Sequence, residues 1–256
     1  MRIQAFNLLC AAIISGCGGG GGVGAPQVPV VNQSPGGIWS GTDPVSGLKV
    51  VGLVDEIGDF HFIRSDGVQY VGTAMVAGDA VSANFAGYAP FGSTFPDKSS
   101  TGAGTLTGTL QPRSSLNGSV KFTTDAKTFS SGAISLTFDS LYNTGSSLTA
   151  VSGNYTDPIT GDTVSVSSAG IIFSQDATTG CVINGNVSII NSVYDAYAVT
   201  FAYANCTGQA ATLNGVKFSG LGTLNTKVKP VQAIIGVSFD DGIAAFYAVV
   251  LTLNRQ

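Results

Sequence analysis

Charged residues are scarce in this sequence of 256 residues, where Asp, Glu, Lys and Arg together make up 10%. Glutamate occurs once, as Glu56, so one of the strong helix formers is nearly absent. Nucleic-acid-binding proteins carry clustered basic residues, whereas this chain has a formal net charge of −4 and no basic cluster. The composition therefore argues against a helical protein and against nucleic acid as a partner.

Residues that perform catalysis are equally few. The one histidine, His61, has no partner pattern of a serine or metal-dependent hydrolase. It alternates with Phe60 and Phe62, so an inward orientation of these two rings on a strand would point His61 to solvent. We predict no enzyme, no cofactor and no metal site.

The densest acidic cluster consists of Asp55, Glu56 and Asp59. Paired carboxylates could serve glycoside hydrolysis or hold calcium, which keeps an enzyme acting through carboxylates alone as one hypothesis. The cluster lies at a turn between two strand-like segments, where solvated polar side chains are expected in any case. We therefore favour a solvated turn.

The N-terminus contains the one segment with the features of an export signal. Arg2 precedes an apolar run at residues 6–14, which is too short to span a bilayer, and Ile14-Ser15-Gly16-Cys17 follows. This pattern resembles the signal of bacterial lipoproteins, and an ordinary secretory signal is the alternative. The resemblance implies that Cys17 becomes the first mature residue and carries several acyl chains, which anchor firmly because each buried methylene contributes about 0.8 kcal/mol.

A glycine-rich segment without charge follows at residues 18–37. Such a chain behaves as a coil and reaches roughly 25 Å in root-mean-square terms, so it suits a tether between lipid and fold. A phosphate-binding loop is not indicated, because no Gly-Lys-Ser/Thr sequence follows. In the resemblance to Gram-negative lipoproteins, Gly18 in place of Asp implies the outer membrane, with the protein on its periplasmic or cell-surface face.

The remaining sequence has a β composition and an internal duplication. Val, Ile, Thr, Phe and Tyr are plentiful, and short runs of them alternate with turn signals such as Asp66-Gly67. Thr42-Asp43-Pro44-Val45-Ser46-Gly47 recurs as Thr156-Asp157-Pro158-Ile159-Thr160-Gly161, and Gly72 and Gly104-Thr105-Leu106 have later counterparts near Gly185 and at Gly222-Thr223-Leu224. A repeat of this length suits a duplicated small domain rather than a solenoid.

The duplication predicts an all-β fold of two tandem antiparallel meanders. Each copy has room for about eight strands, which can close into a small barrel, and one large β-sandwich is the alternative. We expect four regions: a signal peptide at residues 1–16, the lipidated cysteine and tether at 17–37, a first barrel-like domain at 38–145 and a second at 146–256.

Two cysteines lie in the second copy, Cys181 and Cys206. Residues 182–190 and 196–204 are typical of strands around a turn, which would place the cysteines opposite each other at the open end of a hairpin. An exported chain meets an oxidising compartment, so we predict a disulfide. Tyr197, Phe201 and Tyr203 share parity on the second strand, and core lining is the favoured interpretation of that shared face.

Two aromatic features bear on binding. Ile38-Trp39-Ser40-Gly41, behind a lipidated cysteine and a glycine run, resembles the opening of transferrin-binding-protein-B-like and lipocalin-like barrels, whose members bind host proteins or small ligands. We expect Trp39 to plug the barrel core. The long loop at residues 88–100 contains Phe91 and Phe95, which are candidates for contact with a partner if exposed; packing over the barrel mouth is the alternative.

The leading functional hypothesis is a membrane-anchored, non-enzymatic binding or interaction module of the cell envelope. Its expected partners are the membrane, through the lipid, and an unidentified protein or small ligand. A periplasmic inhibitor or immunity lipoprotein acting against a cell-wall hydrolase is the alternative. The hypothesis of a binding module would be favoured by a barrel that is open and has polar groups inside. A filled interior would instead place function on loops and outer faces.

Overall fold

The computed structural model contains two closed antiparallel β-barrels. It describes residues 31–90, 93–158, 161–176, 179–239 and 248–256. The first contains β1 (Gly37–Thr42), β2 (Lys49–Val54), β3 (Asp59–Arg64), β4 (Gln69–Ala77), β5 (Ala80–Tyr88), β6 (Thr101–Gln111), β7 (Ser115–Thr124) and β8 (Phe129–Asp139). The second contains β9 (Gly153–Thr156), β10 (Thr163–Val166), β11 (Ile171–Gln175), β12 (Val182–Ile189), β13 (Tyr197–Ala204), β14 (Lys217–Asn225), β15 (Gln232–Phe239) and β16 (Ala248–Arg255). The predicted fold of tandem barrels is confirmed.

Each barrel closes by pairing its last strand with its first. Every strand pairs with the next along the chain, and β8 returns to β1 as β16 returns to β9. Alternation along the strands fills the interior: in β5, Val81 and Ala83 are buried while Ser82 between them is exposed. Closure removes the unpaired edges that an open sheet would present.

Trp39 closes one end of the first barrel, as predicted. Its side chain is fully buried, its Nε1 donates to the carbonyl of Pro35 at 3.0 Å, and its ring meets Phe138 edge-on. We call this the closed end of the first barrel; it carries the β2–β3, β4–β5 and β6–β7 turns. The opposite end, which carries the β1–β2, β3–β4, β5–β6 and β7–β8 connections, we call the mouth.

The duplicated motif contains the same backbone hydrogen bond in both barrels. In the first, the amide of Gly47 donates to the carbonyl of Asp43 at 2.9 Å, and in the second Gly161 donates to Asp157 at 2.9 Å. Both turns join the first two strands of their barrel. Gly72 in β4 and Gly185 in β12 are also equivalent, since each pairs with a phenylalanine on the following strand.

The two glycines of the later sequence match, Gly104 and Gly222, do not occupy equivalent strand positions in the two barrels. Gly104 pairs with Phe85, the phenylalanine opposite Gly72. The equivalent phenylalanine of the second barrel, Phe201, pairs with Phe218, whereas Gly222 lies further along β14. The position that holds a glycine in the first barrel therefore holds a phenylalanine in the second.

A short connection joins the barrels through a 3₁₀ turn at Ser140–Thr144 and the helix α1 at Leu148–Val151; a second 3₁₀ turn lies at Gly208–Leu213. Tyr142 of the connection is fully buried and stacks on Tyr194 with 4.9 Å between ring centroids, and its carbonyl accepts from the amide of Asp195 at 2.8 Å. Buried apolar side chains surround this contact: Ile38, Leu53, Leu141, Ala196 and Leu221. None of the helices in the described ranges is long and apolar enough to cross a membrane.

His61 is buried, with 3% of its surface exposed, so the predicted solvent orientation is wrong. The parity was right, since Phe60 points into the barrel and His61 points out of it. The outer face of β3 is covered by the second barrel, where a Cβ on Gly236 of β15 would come within 2.8 Å of the imidazole. A single barrel's strand pattern carries no information about contact with another barrel.

Candidate functional site

The first barrel contains a cavity of about 320 Å³ that extends from the mouth into the core. Small-molecule sites in proteins span about 300–1,000 Å³, so the cavity lies at the lower end of that range. Its wall is predominantly aliphatic and aromatic, with side chains such as Val50, Val81, Leu106 and Leu136. A small apolar molecule is the kind of ligand that this wall suits.

Pairing of phenylalanine with glycine keeps the cavity open. Phe62 lies across from Gly52, where a Cβ would come within 2.2 Å of the ring, so only glycine lets the ring lie against the barrel wall. Phe85 lies in the same way between Gly72 and Gly104, where the added Cβ of Gly104 would also come within 2.2 Å of the ring. Rings held flat on the wall leave the centre of the barrel free.

A polar cluster, the mouth cluster, lies at the mouth and is centred on Arg64, the last residue of β3. Its guanidinium donates to both carboxylate oxygens of Asp66 at 2.8 Å and to the hydroxyl of Tyr70 at 3.1 Å. The Tyr70 hydroxyl donates to Asp43 Oδ2 at 2.8 Å, and Arg64 lies 3.7 Å from the same oxygen. The ends of three elements are thereby fixed to one another at the entrance.

The cluster holds Asp43 ionised although it is buried. Burial acts to raise the pKa of Asp43, but hydrogen bonds from the Ser46 amide, the Tyr70 hydroxyl and the Ser46 hydroxyl outweigh it, and the pKa is lowered. For Tyr70, burial and then the negative charge of Asp43 raise the pKa of the phenol, so this side chain remains a hydrogen-bond donor at neutral pH.

The β5–β6 connection packs over the mouth. Phe95 is 7% exposed and lies against Phe122, with 5.5 Å between ring centroids. Phe95 therefore packs over the barrel mouth, which was the alternative to an exposed contact with a partner. Phe91 lies outside the described residues. Asp97 of the same connection lines the cavity and accepts from Thr124 and Ser99.

The second barrel is filled. A cavity of only about 40 Å³ is found within its described part, because large side chains occupy the centre. Phe201 and Phe218 stack with 5.2 Å between centroids, and Tyr155 and Tyr197 are fully buried. The prediction that Tyr197, Phe201 and Tyr203 line the core is confirmed.

The predicted disulfide between Cys181 and Cys206 is confirmed. It joins the β11–β12 and β13–β14 connections, at the end of the second barrel that corresponds to the mouth of the first. The two strands between the cysteines, β12 and β13, pair in the predicted hairpin, with Val182 opposite Ala204.

The acidic cluster occupies the predicted turn but is not simply solvated. Asp55 is 4% exposed, and its Oδ1 accepts from the amides of Ile57, Gly58 and Asp59 at 2.9–3.0 Å. Glu56 accepts from the Tyr142 hydroxyl at 3.0 Å. These carboxylates stabilise the turn and the contact with the connection between the barrels. Across the described ranges, no group of three or more His, Cys, Asp or Glu side chains is arranged to hold a metal ion.

The sequence-based search missed the residues of the mouth cluster. One signal was available: Arg64 shares parity with Phe60 and Phe62, so inward-pointing rings on β3 imply an inward-pointing guanidinium. A charged side chain at an inward position of a barrel strand needs a partner. Tyr70 lies on the next strand, β4, whereas Asp43 lies after β1 and is distant in sequence. Cys17, the predicted lipidation site, lies outside the described residues.

Comparisons with known proteins identify no family. No family model and no curated protein matches the sequence. Among solved structures the chain is similar to Aeromonas veronii immune modulator A, with 10% sequence identity and a TM-score of 0.39 over 89% of this chain and 97% of that one. At that TM-score the likeness carries no argument about function.

Proposed function

We propose that this chain is a lipid-anchored, non-enzymatic binding protein of the bacterial cell envelope, and that its first barrel binds a small, largely apolar molecule. The observation that carries the proposal is the cavity of about 320 Å³ with an apolar wall and a polar mouth. Ligand sites typically combine such a wall with a few placed polar groups that orient the ligand.

The mouth cluster supports binding because it is built to stay in place. Arg64, Asp43 and Tyr70 hold one another through the contacts of 2.8–3.7 Å described above. Fixed polar groups at an entrance orient the polar end of a ligand at little cost in side-chain entropy. The apolar end would then displace water from the wall, at about 25 cal/mol for each Å² removed from water.

The start of the described chain is consistent with a tether at the closed end. The amide of Gln33 donates to the carbonyl of Gly78 at 3.0 Å, and the Gly78 amide donates to Asn32 Oδ1 at 3.0 Å. Gly78 belongs to the β4–β5 turn, which is at the closed end of the barrel. The described chain therefore begins at the end of the first barrel opposite to its mouth, which suits a tether that leaves the mouth accessible.

Binding is tested by titrating the protein with decan-1-ol, an uncharged apolar probe, and measuring heat release. We expect one molecule bound per chain, and loss of binding in Ala83→Leu, whose added atoms enter the cavity from β5. Ser82→Leu places the same side chain on the outer face and is the matched control. Equal binding by both variants would exclude the cavity as the site.

Anchoring is tested by cell fractionation. Cys17→Ser should move the protein from the membrane to the soluble periplasmic fraction, because the thiol that would carry the lipid is lost. Cys10→Ser, within the expected signal peptide, should leave it in the membrane. Membrane retention of the Cys17→Ser protein would contradict the lipid anchor.

A further inference from the structure

The polar groups at the mouth of the first barrel carry an imbalance of charge. Two carboxylates, those of Asp43 and Asp97, and one guanidinium, that of Arg64, line the cavity. Arg64 also pairs with Asp66 beside the entrance. The charged groups that line the cavity therefore have a net negative charge, although the wall behind them is apolar.

Arg64 has little left to offer an anion. It donates to both oxygens of Asp66 at 2.8 Å and to the Tyr70 hydroxyl at 3.1 Å, and it lies 3.7 Å from Asp43. Its single positive charge thus faces two carboxylates. A ligand carboxylate at this position would meet a guanidinium that is already neutralised and would lie beside carboxylates of the same charge.

Asp97 is the carboxylate whose charge is not matched. Its Oδ1 accepts from the amide and the hydroxyl of Ser99 at 3.1 and 2.7 Å, and its Oδ2 accepts from the Thr124 hydroxyl. These are neutral donors, and within the part of the chain that the structure describes Asp97 forms no ion pair. It is partly exposed, so a ligand at the mouth can reach it.

Three lysines and one further carboxylate lie around the mouth and do not alter this balance inside it. Lys49 is the first residue of β2, Lys98 follows Asp97 in the β5–β6 connection, and Asp125 and Lys127 lie between β7 and β8. All four side chains are exposed, and none lines the cavity. Exposed charges of this kind are screened by solvent and salt, whereas the carboxylates at the cavity wall act on a bound ligand at contact distance.

We infer that the cavity of the first barrel selects an amphiphile whose polar end is a cation, such as a long-chain amine, over the fatty acid of the same length. The apolar chain enters the barrel, and the ammonium group takes the place beside Asp97 where its charge is matched. This inference rests on the proposed function, since it concerns the ligand of the same cavity.

The test compares three ligands that share a ten-carbon chain: decylamine, decan-1-ol and sodium decanoate. Each is titrated into the full chain at neutral pH, low salt and concentrations at which the ligand is monomeric. We expect the amine to bind most tightly and the acid least tightly, with about a tenfold or larger ratio between their dissociation constants, which corresponds to about 1.4 kcal/mol. Added salt should reduce the ratio while leaving decan-1-ol unaffected.

Asp97→Asn is the decisive variant, because it removes the charge at nearly constant size and shape. The amide oxygen can still accept from Ser99, while the NH2 group that replaces Oδ2 can donate to the Thr124 hydroxyl. It should lower the affinity for decylamine to about that for decan-1-ol and leave decan-1-ol binding unchanged. The matched control is Asp79→Asn, which removes the same charge from the exposed β4–β5 turn at the closed end and should change neither.

The outcomes separate the two proposals. Decanoate that binds as tightly as decylamine, or an unchanged preference in Asp97→Asn, overturns the inference about charge and leaves the cavity as a binding site. Failure of all three ligands to bind overturns the proposed function together with the inference.

Discussion

The two barrels have the same strand number, the same order of pairing and the same backbone hydrogen bond between their first two strands, yet they differ inside. In the first, Phe85 lies between two glycines, Gly72 and Gly104, and a cavity of about 320 Å³ remains. In the second, the equivalent Phe201 lies between Gly185 and Phe218, and about 40 Å³ remains in the described part. One change from glycine to phenylalanine on a neighbouring strand thus contributes to the difference between a hollow and a filled barrel.

The two barrels also close the corresponding end by different means. The second has the covalent link between Cys181 and Cys206. The first has the hydrogen bonds and ion pairs of Arg64, Asp43 and Tyr70. A polar cluster leaves an entrance that a ligand can use, whereas the filled barrel is stabilised as a structural unit. The comparison therefore supports the proposal that a ligand binds in the first barrel.

Removal of a core ring from each barrel should have the largest effect and should distinguish them. Phe218→Ala opens a hole in the filled barrel and should lower the free energy of unfolding by about 3–5 kcal/mol. Phe62→Ala removes a ring that already borders a cavity, so about 1–2 kcal/mol is expected, since fewer contacts are lost. Urea denaturation of the two variants measures this. Equal losses would contradict the difference in packing.

Loss of the disulfide should weaken the second barrel alone. The paired substitution Cys181→Ser and Cys206→Ser removes a link across 25 residues and should cost about 3 kcal/mol, because the unfolded chain gains conformational freedom. Binding of decan-1-ol at temperatures where the protein remains folded should be unchanged. A binding loss parallel to the stability loss would show that the second barrel takes part in the site.

The free energy of unfolding should depend on pH through His61, which lies at the contact between the barrels. Burial lowers its pKa from 6.5 to about 4, against a smaller raising effect of the hydrogen bond with Gln69. Between these values the unfolded chain binds a proton that the folded chain does not, so stability falls as pH decreases from 6.5 to 4, by up to about 3 kcal/mol. Burial raises the pKa of Asp195 to about 6, which acts in the opposite direction over an overlapping range.

The effect of His61 is therefore measured as a difference. The free energy of unfolding of the wild type minus that of His61→Gln should increase as pH rises from 4 to 6.5 and be constant above that range. Denaturation at a series of pH values measures this difference. The contribution of Asp195 cancels because both proteins contain that residue. A difference that does not vary with pH would show that His61 is solvated.

The smallest effect on stability is expected at a glycine beneath a ring. In Gly52→Ala the three atoms nearest to the added methyl group all belong to the ring of Phe62, which can swing into the cavity, so about 1 kcal/mol should be lost. The displaced ring occupies ligand space, so the affinity for decan-1-ol should fall several-fold. Val51→Ala, on the exposed outer face of the same strand, is the control and should leave affinity unchanged. An unaltered affinity in Gly52→Ala would place the ligand elsewhere.

Features that depend on local pattern could be predicted from the sequence. Alternation and turn residues indicated about eight strands in each copy, and the hairpin between Cys181 and Cys206 indicated the disulfide, because strand parity and turn position act over a few residues. The burial of Trp39 was predicted from its place at the start of the first strand, where an aromatic side chain commonly plugs the end of a small barrel.

The cavity could not be predicted, since it depends on which residues meet across neighbouring strands. Gly104 and Gly222 stand in similar sequence motifs, yet one lies beneath Phe85 and the other does not lie at the equivalent position. The burial of His61 depends on the second barrel, whose approach to β3 is set by contacts far apart in sequence. The mouth cluster likewise joins Asp43, after β1, to Tyr70 of β4, and these residues are 27 positions apart in sequence.

The central claim, that the first barrel binds and the second does not, is tested most directly by methyl NMR of the full chain with decan-1-ol. The methyl resonances of Val50, Val81, Leu106 and Leu136 should shift in a saturable manner, since these side chains line the cavity, while those of Val166, Val199 and Leu253 in the second barrel stay in place. Shifts confined to the second barrel, or no saturable shifts in the first, would contradict the account.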